Sequence, residues 1–309
     1  MRTIDAMALI LKKEGIEFLS AFPTTAVIEA VAESGVRPVI CRQERVGVHI
    51  ADGFARVTNG RKASVFAMQY GPGAENAYPG VATAFSDSVP MLFLPLGHPS
   101  AREGVTPMYS SLKSYDSVTK HIERVNSPER AGASLRRAFS AMRMGKPGPA
   151  MLEIPADIAV QDVDPSIVDA YVPVKTAVSS ADENDVMAAA KALLDARRPL
   201  LVAGQGVLYA EASAELTELA ELLQIAVSTT MAGKSAFSEM HPLSVGSVSE
   251  VMNGAALEYM RESDVLFGIG TSFTIQGMVT PYPAGKTLIH ATNDPVDLHK
   301  DYIAGHPLL

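Results

Sequence analysis

Apolar residues along the chain follow two alternating rhythms: short unbroken runs, and longer stretches in which they recur every three or four positions. The runs predict buried strands and the periodic stretches predict one-faced helices, the pattern of a wound α/β protein with parallel sheets. Helix 3–14 leads to strand 17–22, helix 25–34 to strand 36–41, and a helix carrying Val46, Ile50, Phe54 and Val57 to strand 63–68. A small-residue helix through Ser86 leads to strand 91–96, and a helix opened by Ser127-Pro128-Glu129 closes at Gly145 before strand 147–154. Serine, proline and glutamate in that order supply a cap, a first-turn residue and a charge suited to a helix start. Residues 100–120 carry little periodicity, and loops of that length in compact domains are often functional. The same alternation resumes further on, with helices 183–196, 210–223 and 249–262 among strands 199–203, 225–229, 264–268 and 287–290, and a short helix near Asp294-Pro295.

The expected organisation is a first domain over 1–160, a Pro-, Asp- and Ser-bearing linker over 161–182, and a second domain over 183–309. The second reads as incomplete, because the chain stops at Gly305-His-Pro-Leu-Leu309 with no closing helix. A length of 309 residues suits two cores, and 47% hydrophobic against 19% charged residues describes a compact soluble protein. The net charge of -8, without a Lys/Arg cluster, argues against nucleic acid and anionic membranes as partners. No apolar run reaches spanning length, and a single cysteine fits a reducing compartment, so the cytoplasm is the expected location. The histidines lack metal-ligand spacing, and no metal site made by this chain alone is expected.

Four segments follow strands of the first sheet, 22–25, 42–45, 69–76 and 97–115, and so share its carboxyl-end rim. Parallel α/β sheets bind ligands on that rim. Glu44 sits on it where a strand passes into a helix with no turn residues between, and a carboxyl there can trade protons with a ligand. The plainer reading of Glu44 is a helix-capping or ion-paired side chain. Gly71-Pro72-Gly73 reads either as an ordinary tight turn or as backbone that lets a ligand come close, and Asn76 follows in the first turn of the next helix.

Taken together, Pro23, the stretch Arg42 to Arg56, Gly71-Pro-Gly-Ala-Glu-Asn76 and Gly80 to Met91 resemble the pyrimidine-binding domain of thiamine-diphosphate enzymes, nearest to the acetolactate synthases. Gly145 to Pro155 resembles that domain's closing strand, and Arg197 to Gly206, Thr229 to Lys234 and His241 to Gly246 resemble the middle domain. The resemblance implies a thiamine-diphosphate-binding fold followed by a Rossmann-like middle domain. It implies that Glu44 hydrogen-bonds a ring nitrogen of the cofactor's aminopyrimidine, and that proton sharing there activates the cofactor for attack on a 2-oxo acid. Pro23, Gly71, Pro72, Gly73 and Asn76 match cofactor-lining positions. Thr24, Gln69, Tyr70, His98 and Tyr115 are then the expected substrate-side residues. The resemblance further implies a homodimer or homotetramer.

Four departures qualify it. Thr24-Thr25 stands where the family carries Gly-Gly, and Met108 to Tyr115 replaces the Phe-Gln-Glu run of acetolactate synthases, so a different substrate pocket is expected. Gly270 to Thr274 replaces the Arg-bearing flavin segment, which counts against FAD. No Gly-Asp-Gly with a downstream Asn occurs, so the diphosphate and its Mg2+ are expected to be held by a third domain. That domain would lie in a longer chain or in a partner. A catalytically silent relative, or a nucleotide-binding α/β protein in which Glu44 merely caps a helix, stays open at this level.

Overall fold

The computed structural model describes residues 1–248, 253–277 and 279–309. The chain divides into two compact units, Met1–Ala177 and Val178–Leu309. In the first, the chain runs through α1 (Thr3–Lys13), β1 (Phe18–Phe22), α2 (Thr25–Ser34), β2 (Arg37–Ile40), α3 (Glu44–Val57), β3 (Val65–Met68), α4 (Pro72–Ser86) and β4 (Leu92–Gly97). It continues through α5 (Ser111–Tyr115), β5 (His121–Arg124), α6 (Ala131–Arg143), β6 (Ala150–Pro155), α7 (Ala156–Ala159) and α8 (Ser166–Asp169). All six strands are parallel, in the order β2-β1-β3-β4-β6-β5.

A parallel sheet needs both faces covered, and two clusters of buried side chains do this. One packs α1, α2 and α6 on one side through residues such as Met7, Leu11, Val31, Leu135 and Phe139. The other packs α3 and α4 through Val48, Ala55, Val81 and Ala84 against Phe66, Met68 and Phe93. Small residues let α3 and α4 settle deeply. A Cβ on Gly47 would lie 2.3 Å from the Phe66 ring, and one on Gly80 would lie 2.2 Å from Val48 Cγ1.

The segment after β6, expected to be linker from residue 161, is docked on the first unit as far as Tyr171. Val163, Val168 and Tyr171 join the first core cluster. The reason is a buried carboxylate: Glu14 accepts from Arg143 Nη1 at 2.6 Å and from the Tyr171 hydroxyl at 2.5 Å, and the backbone N–H of Val174 lies 3.4 Å from it. The span 100–120, read as a loop, contains α5 and two single turns of 3-10 helix.

The second unit contains α9 (Glu183–Leu194), β7 (Leu200–Ala203), α10 (Gln205–Tyr209), α11 (Ser213–Leu223), β8 (Ala226–Thr230), β9 (Ser244–Val248), α12 (Gly254–Glu262), β10 (Val265–Ile269), β11 (Thr287–Ala291) and β12 (His306–Leu308). Among the described residues its six strands are again parallel, ordered β12-β11-β10-β7-β8-β9. The start of the helix expected over 249–262 lies outside the described residues, and Gly254–Glu262 is helical, with the Asn253 side chain accepting from the Ala256 N–H. Both units are thus wound parallel-sheet α/β domains.

Candidate active site

β2 ends at Ile40, and the chain crosses the rim in extended conformation, with Gln43 at φ -152° and ψ 149°, before α3 starts at Glu44. That start places a carboxylate at a helix N-terminus, where the backbone dipoles favour it. Glu44 is only 5% exposed, because α3 lies so close to the sheet; Ser20 on β1 also donates to the Gly47 carbonyl at 2.8 Å. The Glu44 Oε2 accepts from Asn76 Nδ2 at 2.7 Å, which fixes the plane of the carboxyl. Gly71, at φ +64° and ψ -124°, holds a conformation that side chains disfavour, and Pro72 begins α4 directly after it. A Cβ on Gly73 would lie 2.9 Å from Glu44 Oε1 and 2.7 Å from Gln69 Cγ. Glycine at 73 therefore leaves bare backbone facing an acid. Glu44, Gly73 and Asn76 meet in one place, and Gln69 borders it.

The neighbouring strand ends bring further groups to the rim. Thr24, next to the exposed Pro23, caps α2 with its backbone, and its buried hydroxyl has no hydrogen-bond partner. His98 follows β4; its Nε2 is likewise buried and unpartnered, and its ring lies 4.3 Å from that of Tyr70, centroid to centroid. Tyr70 is 40% exposed. Tyr115, expected on the substrate side, is instead a core residue. It is fully buried against Phe93 and Tyr78, and its hydroxyl donates to the Ala74 carbonyl. Desolvation pushes its pKa far up, so it stays a neutral donor that braces the start of α4.

Residues 1–122 match the thiamine pyrophosphate enzyme N-terminal TPP binding domain, and residues 186–309 match the thiamine pyrophosphate enzyme central domain. The chain belongs to the thiamine pyrophosphate enzymes. It is 32% identical to a probable acetolactate synthase large subunit of Methanocaldococcus jannaschii, with all of this chain aligned to 54% of that protein. It is 32% identical to the corresponding protein of Methanococcus aeolicus, again over all of this chain and 53% of the relative. Glyoxylate carboligase of Escherichia coli O157:H7 is 29% identical over 96% of this chain and 51% of its own length. The chain spans about half the length of the curated relatives it matches.

Within this thiamine pyrophosphate enzyme chain, the rim also holds a charged cluster that the sequence reading did not single out. Glu153 on β6 is 7% exposed, accepts from Ser111 Oγ, and lies 3.6 Å from Arg124 Nε on the adjacent β5. Arg124 also pairs with Glu103 and donates to the His98 carbonyl at 3.4 Å. Gly97 makes room for this cluster, since a Cβ there would lie 2.9 Å from Glu153 Cδ. The available signal was Glu153 itself, a charge inside the apolar strand Ala-Met-Leu-Glu-Ile-Pro. Arg124 carried none, because its strand is short and polar.

In the second unit, Gly204 and Gly206 follow β7 and lie against the backbone of Gly270 after β10. A Cβ on Gly204 would come 2.2 Å from the Gly270 oxygen, and the Gly206 N–H donates to that oxygen at 2.9 Å. These glycines serve a loop-to-loop contact. Among the described residues, no group of three or more His, Cys, Asp and Glu side chains is placed to hold a metal ion, and no helix is long and apolar enough to cross a membrane.

Proposed function

We propose that this chain supplies the pyrimidine-binding and central domains of a thiamine-diphosphate-dependent carboligase or decarboxylase acting on 2-oxo acids, similar to the acetolactate synthases. The observation that carries the reading is the buried Glu44 carboxyl, oriented by Asn76 at 2.7 Å and faced by the bare backbone of Gly73. This arrangement fits the pyrimidine end of the cofactor. A flat heteroaromatic ring can approach where no Cβ intrudes, and a ring nitrogen can share a proton with Glu44. Gly71 and Pro72 shape that approach, with Pro23 and Thr24 at the end of the adjacent strand β1. Bound there, thiamine diphosphate would supply the nucleophilic carbon and the electron sink for decarboxylation.

The residues do not fit the other end of the cofactor. A diphosphate with Mg2+ needs hard oxygen ligands, and the sequence carries no Gly-Asp-Gly with a downstream Asn to supply them. The reading therefore assigns the metal and the diphosphate to a further domain, in the same polypeptide or in a partner chain; relatives about twice as long support this. Homodimeric or homotetrameric assembly and a cytoplasmic setting complete the proposal. FAD is left out of it, because the glycines after β7 are committed to the Gly270 loop.

The test is Glu44→Gln in the catalytically competent assembly, with hydrogen–deuterium exchange at the reactive thiazolium carbon of added thiamine diphosphate read by NMR. Loss of a positioned acid–base group predicts a fall of roughly 10²- to 10⁴-fold with an unchanged melting temperature. Exchange at the wild-type rate would remove Glu44 from the chemistry.

A further inference from the structure

Among the described residues, the two buried side-chain polar atoms without a hydrogen-bond partner are Thr24 Oγ1 and His98 Nε2. Buried polar groups are nearly always satisfied, and an unsatisfied one costs stability. Both exceptions fall on the same rim. Thr24 follows β1 and His98 follows β4, and these strands flank β3, whose end leads into Gln69-Tyr70-Gly71. Two strand spacings separate them, about 10 Å at the backbone.

The backbone of His98 is tied into a charged network. Its carbonyl accepts from Arg124, which lies beside the buried Glu153. Glu153 accepts from Ser111, and Arg124 pairs with Glu103, so the segment after His98 is tied to this one ion pair at two points. A backbone tied in this way, carrying a buried ring nitrogen without a partner, is arranged for a group that arrives from outside. The neighbour on the solvent side is Tyr70, tilted 46° against the His98 ring at 4.3 Å and 40% exposed.

We propose that His98 Nε2 and Thr24 Oγ1 form a hydrogen-bonding subsite that reads a hydroxyl group on the substrate chain, with Tyr70 as its cover. The substrate class is then a hydroxylated 2-oxo acid and not a plain alkyl one. This rests on the function proposed above. An alkyl substituent would leave both atoms unpaired in the complex, whereas a hydroxyl satisfies at least one, and sites built this way discriminate strongly against the analogue lacking the group. Arg124 and Glu153 act through His98 as positioning residues.

The informative substrate pair is hydroxypyruvate and 2-oxobutanoate, which differ by a hydroxyl in place of a methyl. In the competent assembly the wild type should favour hydroxypyruvate in kcat/KM. His98→Phe should lower that preference roughly 10- to 100-fold, and His98→Asn, which keeps a hydrogen-bonding group, should restore part of it. Thr24→Val should lower it as well while raising the melting temperature, since it removes an unpaired buried hydroxyl. Independently of turnover, long-range 1H–15N spectra of the imidazoles in this chain should show the His98 ring nitrogens shifting on addition of hydroxypyruvate and not of 2-oxobutanoate. A wild-type preference for 2-oxobutanoate, an unmoved ratio in His98→Phe, or identical spectra with both acids would overturn the inference. If Glu44→Gln is inactive while the His98 ratio stays put, the subsite alone is wrong; if Glu44→Gln is fully active, the function itself is.

Discussion

Gly47→Ala separates the position of Glu44 from the stability of the fold. Gly47 lies one turn into α3, and an added Cβ would sit 2.3 Å from Phe66 Cε2, whereas ordinary contacts begin at 3.4 Å. The Phe66 ring is fully buried on the central strand β3, within the cluster that packs α3 and α4. Restoring an ordinary contact separates the helix from the ring by 3.4 - 2.3 = 1.1 Å. If that movement fell along the Asn76–Glu44 bond, its 2.7 Å would become 3.8 Å, beyond hydrogen-bonding range. On stability the effects partly cancel: alanine gains about 1 kcal/mol of helix propensity, and overpacking costs about 1–3 kcal/mol. The melting temperature should fall by no more than a few degrees. On function nothing cancels, because a misplacement of about 1 Å costs on the order of 10²-fold. The assay pairs calorimetry with cofactor hydrogen exchange in the competent assembly. Gly53→Ala is the control: it lies in the same helix with open space around its Cβ, and should gain stability without loss of exchange. Normal exchange in Gly47→Ala would refute the view that α3 must seat this deeply to place its acid.

Two further outcomes concern the first unit as a whole. Arg143→Met should cost about 3–5 kcal/mol in denaturant unfolding, because it strands the wholly buried Glu14 side chain without its cation; a loss under 1 kcal/mol would mean that Tyr171 alone suffices. The Arg137 guanidinium, assisted by Ser134, holds the Glu123 carboxyl down at about 2. Its contribution is therefore complete above the ordinary carboxylate range near 4.5 and lost as the pH falls toward 2. Glu123→Gln should flatten the fall of melting temperature across that interval, and an unchanged acid limb would show that the pair adds nothing.

The parts of the fold and site legible in the sequence are those in which local pattern and tertiary role agree. Glu44 stood out because the apolar run of β2 gives way to helical periodicity without a turn, and that junction is where the structure buries it against Asn76. α2 was readable to its ends, since Gly35 closes it in the left-handed conformation. The strands that escaped notice, β5, β9 and β12, are edge strands or short ones, half-buried and mixed in character, so no unbroken apolar run announces them. Missing β5 concealed Arg124, and with it the ion pair to Glu153. Tyr115, expected on the substrate side, lies in the core for a related reason. Its fate depends on Phe93, Tyr78 and the Ala74 carbonyl, which come from β4 and α4, and a five-residue helix is too short to show which of its faces is covered.

The clasp of Glu14, Arg143 and Tyr171 also bears on how such a gene can be rearranged. It fastens the polypeptide as far as Tyr171, whereas residues 175–180 are all exposed and the next helix has its own cap at Asp182. That stretch is a natural seam. Recombination there can splice the leading half to a different follower without opening either interior, whereas a cut fifteen residues upstream would unbutton the clasp and expose α1 to water.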